Sequence, residues 1–409
     1  MRKLLLAFLL FQAVDAFTQP TISAEISSDP LPLGTFPPSL SAPAVALARD
    51  RSGVVIAWTM RGADGQRVSV IRLDGTGHFA GPLRTIPVTS PDAVDATAPS
   101  IAAAPGGDGF IVTWIETAPL SAAFPRAAYC RLDRDLNPSA PAVLPAFAYP
   151  AVAPAIVRSG KRTWIASGKL VWEVRADGSL GELLNAGVDA TDMTVATDFP
   201  QIVAFSHFTA GFLCPPGCGS TGHFAFCSCP LRAVTEYSLQ FTSLYSVTAS
   251  KIFDFDSDAA PAIGSDGRDV ALVWLQGVHQ NGGTVVMSRL VAPSFTEFAT
   301  AVSEPRAIGS FGPDGGATRP DVASDGERYV VVWRTATSGG SHDIIGASVD
   351  HAGNVTPLSI ATSDADERDP SVIAVGNGAF LVAYQKASGG EQRIAGRFVT
   401  FDHRGRAVR

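Results

Sequence analysis

The chain has 409 residues and a formal net charge of −7, with 31 Lys and Arg against 38 Asp and Glu. An acidic surface repels phosphate backbones and anionic headgroups, which argues against nucleic acid as a partner and against charge-driven membrane association. Charged residues make up only 17%, and 39 Gly and 29 Pro interrupt any long helical period, so the composition points to β-structure with many turns.

The chain opens Met1-Arg2-Lys3, continues through the apolar run Leu4 to Phe11, and reaches Val14-Asp15-Ala16. A short basic start, an apolar run too short to span a bilayer and small residues at its end predict a secretory signal peptide over 1–16. The expected location is secreted, periplasmic or cell-surface, without membrane insertion after cleavage. Residues 17–409 then read as one domain.

From there the same phrase recurs. Pro begins a first β-type run at Pro43, Pro99, Pro154, Pro261, Pro320 and Pro370. In the double-width gap, Met193-Thr194-Val195-Ala196 fits with Met in the place of Pro. Repeats therefore start near 43, 99, 154, 193, 261, 320 and 370. First runs are rich in small residues (Val45-Ala46-Leu47-Ala48, Ile101-Ala102-Ala103), as strands converging on one axis require. Second runs end in a large ring: Trp58, Trp114, Phe205, Trp274, Trp333 and Tyr384. These rings are expected between neighbouring sheets, and in the third repeat Trp164 and Trp172 are expected to compensate for Ala166 and Ser167. The last two copies are the clearest, with a period of 50 residues from Pro320 to Pro370. The pattern predicts an all-β fold, a seven-bladed β-propeller of four-stranded antiparallel blades. The last copy stops where its fourth strand is due, while Thr21 to Ser27 is a surplus run ahead of the first. That N-terminal strand is expected to complete the last blade and close the ring, since an open edge leaves backbone groups unpaired.

Pro-x-Val-Ala, Asp-Gly-x-x-Tyr-Val-Val-Val-Trp, Ile-x-Gly-Ala-x-Val and Gly-Asn-Val, best seen over 320–400, resemble the propeller repeats of many exported bacterial proteins. The resemblance implies a propeller and an extracytoplasmic setting, and it implies no catalytic residue. The Asp-Gly elements at Asp64, Asp266 and Asp325 lack the Ser-x-Asp-x-Gly-x-x-Trp order of sialidase boxes and read as turns.

In such a fold the loops between second and third strands share a face with the inter-blade crossovers. Here the crossovers are acidic: Asp92 and Asp95; Asp189 and Asp192; Asp254, Asp256 and Asp258; Asp364, Asp366, Glu367 and Asp369. Together they form a negative funnel able to attract a cation. The simpler reading makes them turn caps, because no segment has the alternating spacing and closing Glu of a calcium loop. His207, His223, His279 and His342 are placed between second and third strands on that face and are the candidate metal ligands. Adjacent sheets stand ~10 Å apart, so only the insertion bearing His223 could close such a site. That Cys-rich insertion, about 207–230, holds Cys214, Cys218, Cys227 and Cys229. An exported setting favours disulfides, nested (214–229, 218–227) in preference to crossed (214–227, 218–229). Cys130 is left as a buried free thiol.

No Gly-x-Ser-x-Gly, His-Glu-x-x-His or phosphate-cradling loop is present, and no catalytic residue is assigned. The leading expectation is a module binding a glycan, small molecule or protein through its acidic loop face. The alternative is a carbohydrate-active hydrolase or lyase with carboxylates and histidines at the channel mouth, and a third is a purely structural surface module. No motif specifies a cofactor; calcium or another divalent metal is the candidate.

Overall fold

Strands rich in Val, Ile and aromatic residues, broken every few residues by Gly, Asp or Asn turns, leave the chain no alternative to sheet. The computed structural model describes residues 20–29, 31–32, 43–62, 64–107, 109–118, 125–145, 153–159, 162–185, 192–195, 201–213, 220–221, 226–227, 232–243, 249–257, 259–278, 282–291, 301–313 and 319–402. Among them there is no helix, and every sheet is antiparallel.

The first sheet is Ala44–Leu47, Gly53–Gly62, Gly65–Asp74 and Phe79–Thr85, hydrogen-bonded in that order. Sheets with the same chain-order arrangement span 95–143, 155–185, 193–257, 262–311 and 321–361. In the fifth, Arg306–Phe311 and the short Ala301–Val302 both pair with Gly282–Val291. The last sheet is Asp366–Gly376, Ala379–Ser388 and Glu391–Thr400, and its outer place is filled from the other end of the chain. Thr21 pairs with Thr400, Ile26 with Gly396 and Leu31 with Gln392. Each sheet's first strand lies beside the next sheet's first strand, and Asp366–Gly376 lies beside Ala44–Leu47.

The core sits between sheets. Trp114 packs with Val55 and Val68 of the first sheet, Trp333 with Val273 and Val285 of the fifth, Tyr384 with Val332 and Leu358 of the sixth, and Trp58 with Leu381 and Ile394 of the last. Each of these rings is at most 2% exposed. In the third sheet Trp164 and Trp172 are buried in their stead, beside Ala166. The fit is close: a Cβ on Gly309 would come 2.3 Å from the Trp333 ring. Cys130 is a buried free thiol, and burial pushes it up to about 12.

Several elements run longer than the repeat suggests. Gln201–Leu213 carries His207 inside the second strand, opposite Tyr237, rather than in the loop that follows. Asp254 and Asp256 lie in the outer strand Ala249–Ser257, opposite Ser238 and Glu236, and not in a crossover. Asp95 opens Asp95–Ala103, and Asp366, Glu367 and Asp369 belong to Asp366–Gly376. Those two strands continue past their prolines through a bulge, because Pro99 and Pro370 lack an N–H and the ladder must skip them. The residues before them, Ala98 and Asp369, take φ of 52°. In the fourth sheet Met193 faces Ala204, as Ala262 faces Val273, so Asp192 rather than Met193 holds the place of Pro.

The 1–16 leader, Asp189, Asp258, His223, His279, His403, Cys214, Cys218 and Cys229 lie outside the described residues, as do the side chains of His207, Cys227, Asp254 and Asp256. The disulfide arrangement therefore falls outside them too.

Candidate functional site

The first strands enclose a cavity of about 560 Å³ whose wall is mostly small: Ala44, Ala155, Gly264, Ala323 and Ala374 recur around it. Charge enters that wall at four described residues, Asp192, Arg319, Asp321 and Asp369.

Two of the acids are structural caps. Asp192 accepts from Met193 N at 2.9 Å and, across to the next sheet, from Ile263 N at 3.0 Å; Arg319 pairs with the same carboxylate. Asp321 accepts from Val322 N at 2.9 Å, and from Ser371 Oγ and Val372 N of the last sheet at 2.8 Å each. Ser100 does the same job between the second and third sheets, accepting from Ile156 N at 3.3 Å. Burial pushes both carboxyls above the ordinary aspartate value, while Arg319 and the backbone donors pull them back.

Asp369 differs. It is 7% exposed, and its Oδ1 has no hydrogen-bond partner among the described residues. Burial raises its pKa despite the positive charge of Arg334 and Arg368. Its φ of 52° is shared with Ala98, so the backbone shape belongs to the repeat and the carboxylate is the local addition. A buried acceptor without a partner is uncommon in a native protein, and it sets Asp369 apart from the two capping acids.

Around this mouth the other predicted acids are mostly engaged. Asp366 accepts from His342 Nδ1 at 2.7 Å and pairs with Arg368 at 2.6 Å. Burial would raise its pKa, but those two partners hold it below the ordinary value. Asp95 accepts from Gln66 N at 2.8 Å, and Asp92 and Asp364 are exposed on turns. Glu367 is fully buried; Ser363 donates to one oxygen, the other has no hydrogen bond, and Lys386 stands 3.8 Å away. Burial, with Asp343 and Glu25 nearby, raises its pKa. Among the described residues the predicted acids do not converge on one point, and of the four predicted metal histidines only His342 has a described side chain.

Sequence reasoning missed Arg319 and Asp321. The signal was available: Asp321 fills the x of Pro-x-Val-Ala, where the other clear copies have Ala or Ser. It also missed Glu116, fully buried and accepting from Thr89 N at 2.7 Å, Thr89 Oγ at 2.5 Å, Trp114 Nε1 at 3.0 Å and Arg126 Nε at 3.0 Å.

Four-stranded antiparallel sheets whose first strands surround a cavity define a β-propeller type of all-β protein. Solved structures similar to this chain exist at low sequence identity. A protein of unknown function from Dyadobacter fermentans matches with a TM-score of 0.52 at 10% identity, over 94% of this chain and 99% of that one. Trypanosoma rangeli sialidase matches with a TM-score of 0.46 at 6% identity, over 88% of this chain and 54% of the sialidase. The Neurospora crassa Pan2 WD40 domain gives 0.46 at 9% identity, over 87% and 88%. No family profile matches the chain, and no curated protein matches it either.

Proposed function

We propose that this chain is an exported seven-bladed β-propeller, its last blade completed by the N-terminal strands, that binds a small hydroxyl-rich ligand such as a sugar at the mouth of its channel. The observation that carries the reading is Asp369, a cavity-lining residue whose Oδ1 is buried without a hydrogen-bond partner among the described residues. Thr194 on the same wall adds a hydroxyl for a ligand with several O–H groups, while those of Ser100 and Ser371 already serve inter-sheet hydrogen bonds. Glycoside hydrolysis needs two carboxyl groups free to act on one bond. At this wall the carboxylates of Asp192 and Asp321 are each committed to backbone N–H groups, which favours binding over hydrolysis.

The test is titration calorimetry of the purified chain against a panel of mono- and oligosaccharides, with a parallel screen for polysaccharide breakdown. The expected result is saturable binding of at least one ligand, weakened at least tenfold in D369N, without turnover. Turnover, or binding indifferent to D369N, would overturn it.

A further inference from the structure

Asp266, Asp269 and His351 bring one ligand atom each to within 4.8 Å of one another. We propose that this cluster, set between the fifth and sixth sheets, is a binding site for a first-row divalent metal ion of the zinc type. The residues come from two turns. Asp266 and Asp269 belong to the turn between Ala262–Ser265 and Val270–Val278, and His351 to the turn after His342–Asp350 of the next sheet.

The hydrogen bonds orient the donors. His351 Nε2 lies 3.0 Å from the Gly326 carbonyl, which can only accept, so the ring proton sits on Nε2 and Nδ1 presents a lone pair. That lone pair faces Asp266 Oδ2 at 3.6 Å. Asp266 Oδ1 is occupied by Arg268 N and Asp269 N, but Oδ2 is buried and without a hydrogen bond, on a side chain only 2% exposed. Arg289 Nη2 now donates to both His351 Nδ1 and Asp269 Oδ2, and an incoming ion would take that place. The separation of His351 Nδ1 and Asp266 Oδ2 is close to the ~3.4 Å between two ligands of one tetrahedral ion at ~2.1 Å.

Charge supports the same conclusion. Arg289 pairs with Asp269 at 2.5 Å, reaches the His351 carbonyl at 2.7 Å and lies 3.3 Å from His351 Nδ1. It offsets one carboxylate and donates to the His351 ring, so Asp266 Oδ2 is the acceptor of the cluster left without a hydrogen bond among the described residues. An N,O,O donor set suits zinc, nickel or copper over calcium, which prefers oxygen alone. Tyr329 donates to the Asp269 carbonyl at 3.1 Å and holds that turn from the sixth sheet. The His351 side chain is 46% exposed, so the ion has a route in from solvent.

The experiment is titration calorimetry of the full chain with zinc chloride, calcium chloride as control, and the same proteins followed by thermal melting. One zinc ion is expected to bind and raise the melting temperature, with little heat from calcium. H351Q, a change at an exposed ring, and D266N should each weaken zinc at least tenfold and abolish the melting shift. H342Q, outside the cluster, should leave both unchanged. Absence of zinc binding, calcium binding as tightly as zinc, or zinc binding unaltered in H351Q would each overturn the site. If D266N fails to fold, H351Q decides alone.

Discussion

The second and last sheets solve the same problem at the same position, two residues beyond the buried ring. In the second sheet that position is Glu116, whose carboxylate gathers Trp114, Arg126 and Thr89. In the last it is Lys386, and the carboxylate comes from Glu25, between the N-terminal strands Thr21–Ile22 and Ile26–Ser27. Tyr384 Oη donates to Glu25 at 2.7 Å, Lys386 lies 2.8 Å away, and Arg397 approaches to 3.8 Å. Ring, acid and cation recur, but in the last sheet the acid is supplied from the far end of the chain. The exchange has a cost. Opposite Glu116 stands Ala96, whereas opposite Lys386 stands Glu367, a second buried acid that must share the lysine.

The largest expected effect comes from removing residues 20–32. The third strand of the last sheet then loses its outer partners, and Tyr384 and Lys386 lose their acceptor. The melting temperature should fall by more than about 10 °C; an unchanged melt would show that the two sheets are not equivalent. Next is Glu116→Gln, which deprives Arg126 of its counter-charge in a buried setting. Urea unfolding should register a loss of about 2 kcal/mol. Tyr384→Phe keeps the ring and removes one hydrogen bond to Glu25, for a loss of about 1 kcal/mol.

The smallest effect, and the sharpest, is Glu367→Gln. Its raised pKa means the ionised form is disfavoured more in the folded than in the unfolded chain. The penalty is absent below the unfolded glutamate value, grows as pH rises through the folded one, and persists above it. The substitution should therefore stabilise by up to about 1 kcal/mol near pH 8 and be neutral near pH 4, as read from urea melts at both. Equal effects at the two pH values would remove Glu367 from the comparison.

Most of the scaffold was legible because it is written in short-range rules. Small residues in first strands, a ring at the end of second strands and Asp-Gly turns each follow from local sterics, and Trp58, Trp114, Trp333 and Tyr384 are buried where the repeat puts them. Weak copies were misread where one residue stood in for another, as with Asp192 in the place of Pro. The site was less legible, since it depends on contacts between different repeats. Asp321 caps Val372 one repeat further on, and His351 meets Asp266 of the preceding sheet, contacts that the pattern within a single repeat does not display. Counting histidines favours the loops between second and third strands, where the repeat places four of the seven. The decisive term at His351 is the Gly326 carbonyl that fixes its tautomer, a backbone atom with no trace in composition.

The pairing of Thr21 with Thr400 also sets the order in which the molecule can assemble. The first six sheets are built from hairpins whose partners are near in sequence and can form as the chain emerges. The seam must wait for the final strand. Closing a loop of about 380 residues costs about 5 kcal/mol in chain entropy on a simple polymer estimate, against about 3 for a 30-residue hairpin. Much of that difference disappears once the intervening sheets have stacked and brought the ends together. Seam formation is then the slow, late step on the folding time axis, and until it is complete Glu391–Thr400 presents an open edge to other chains.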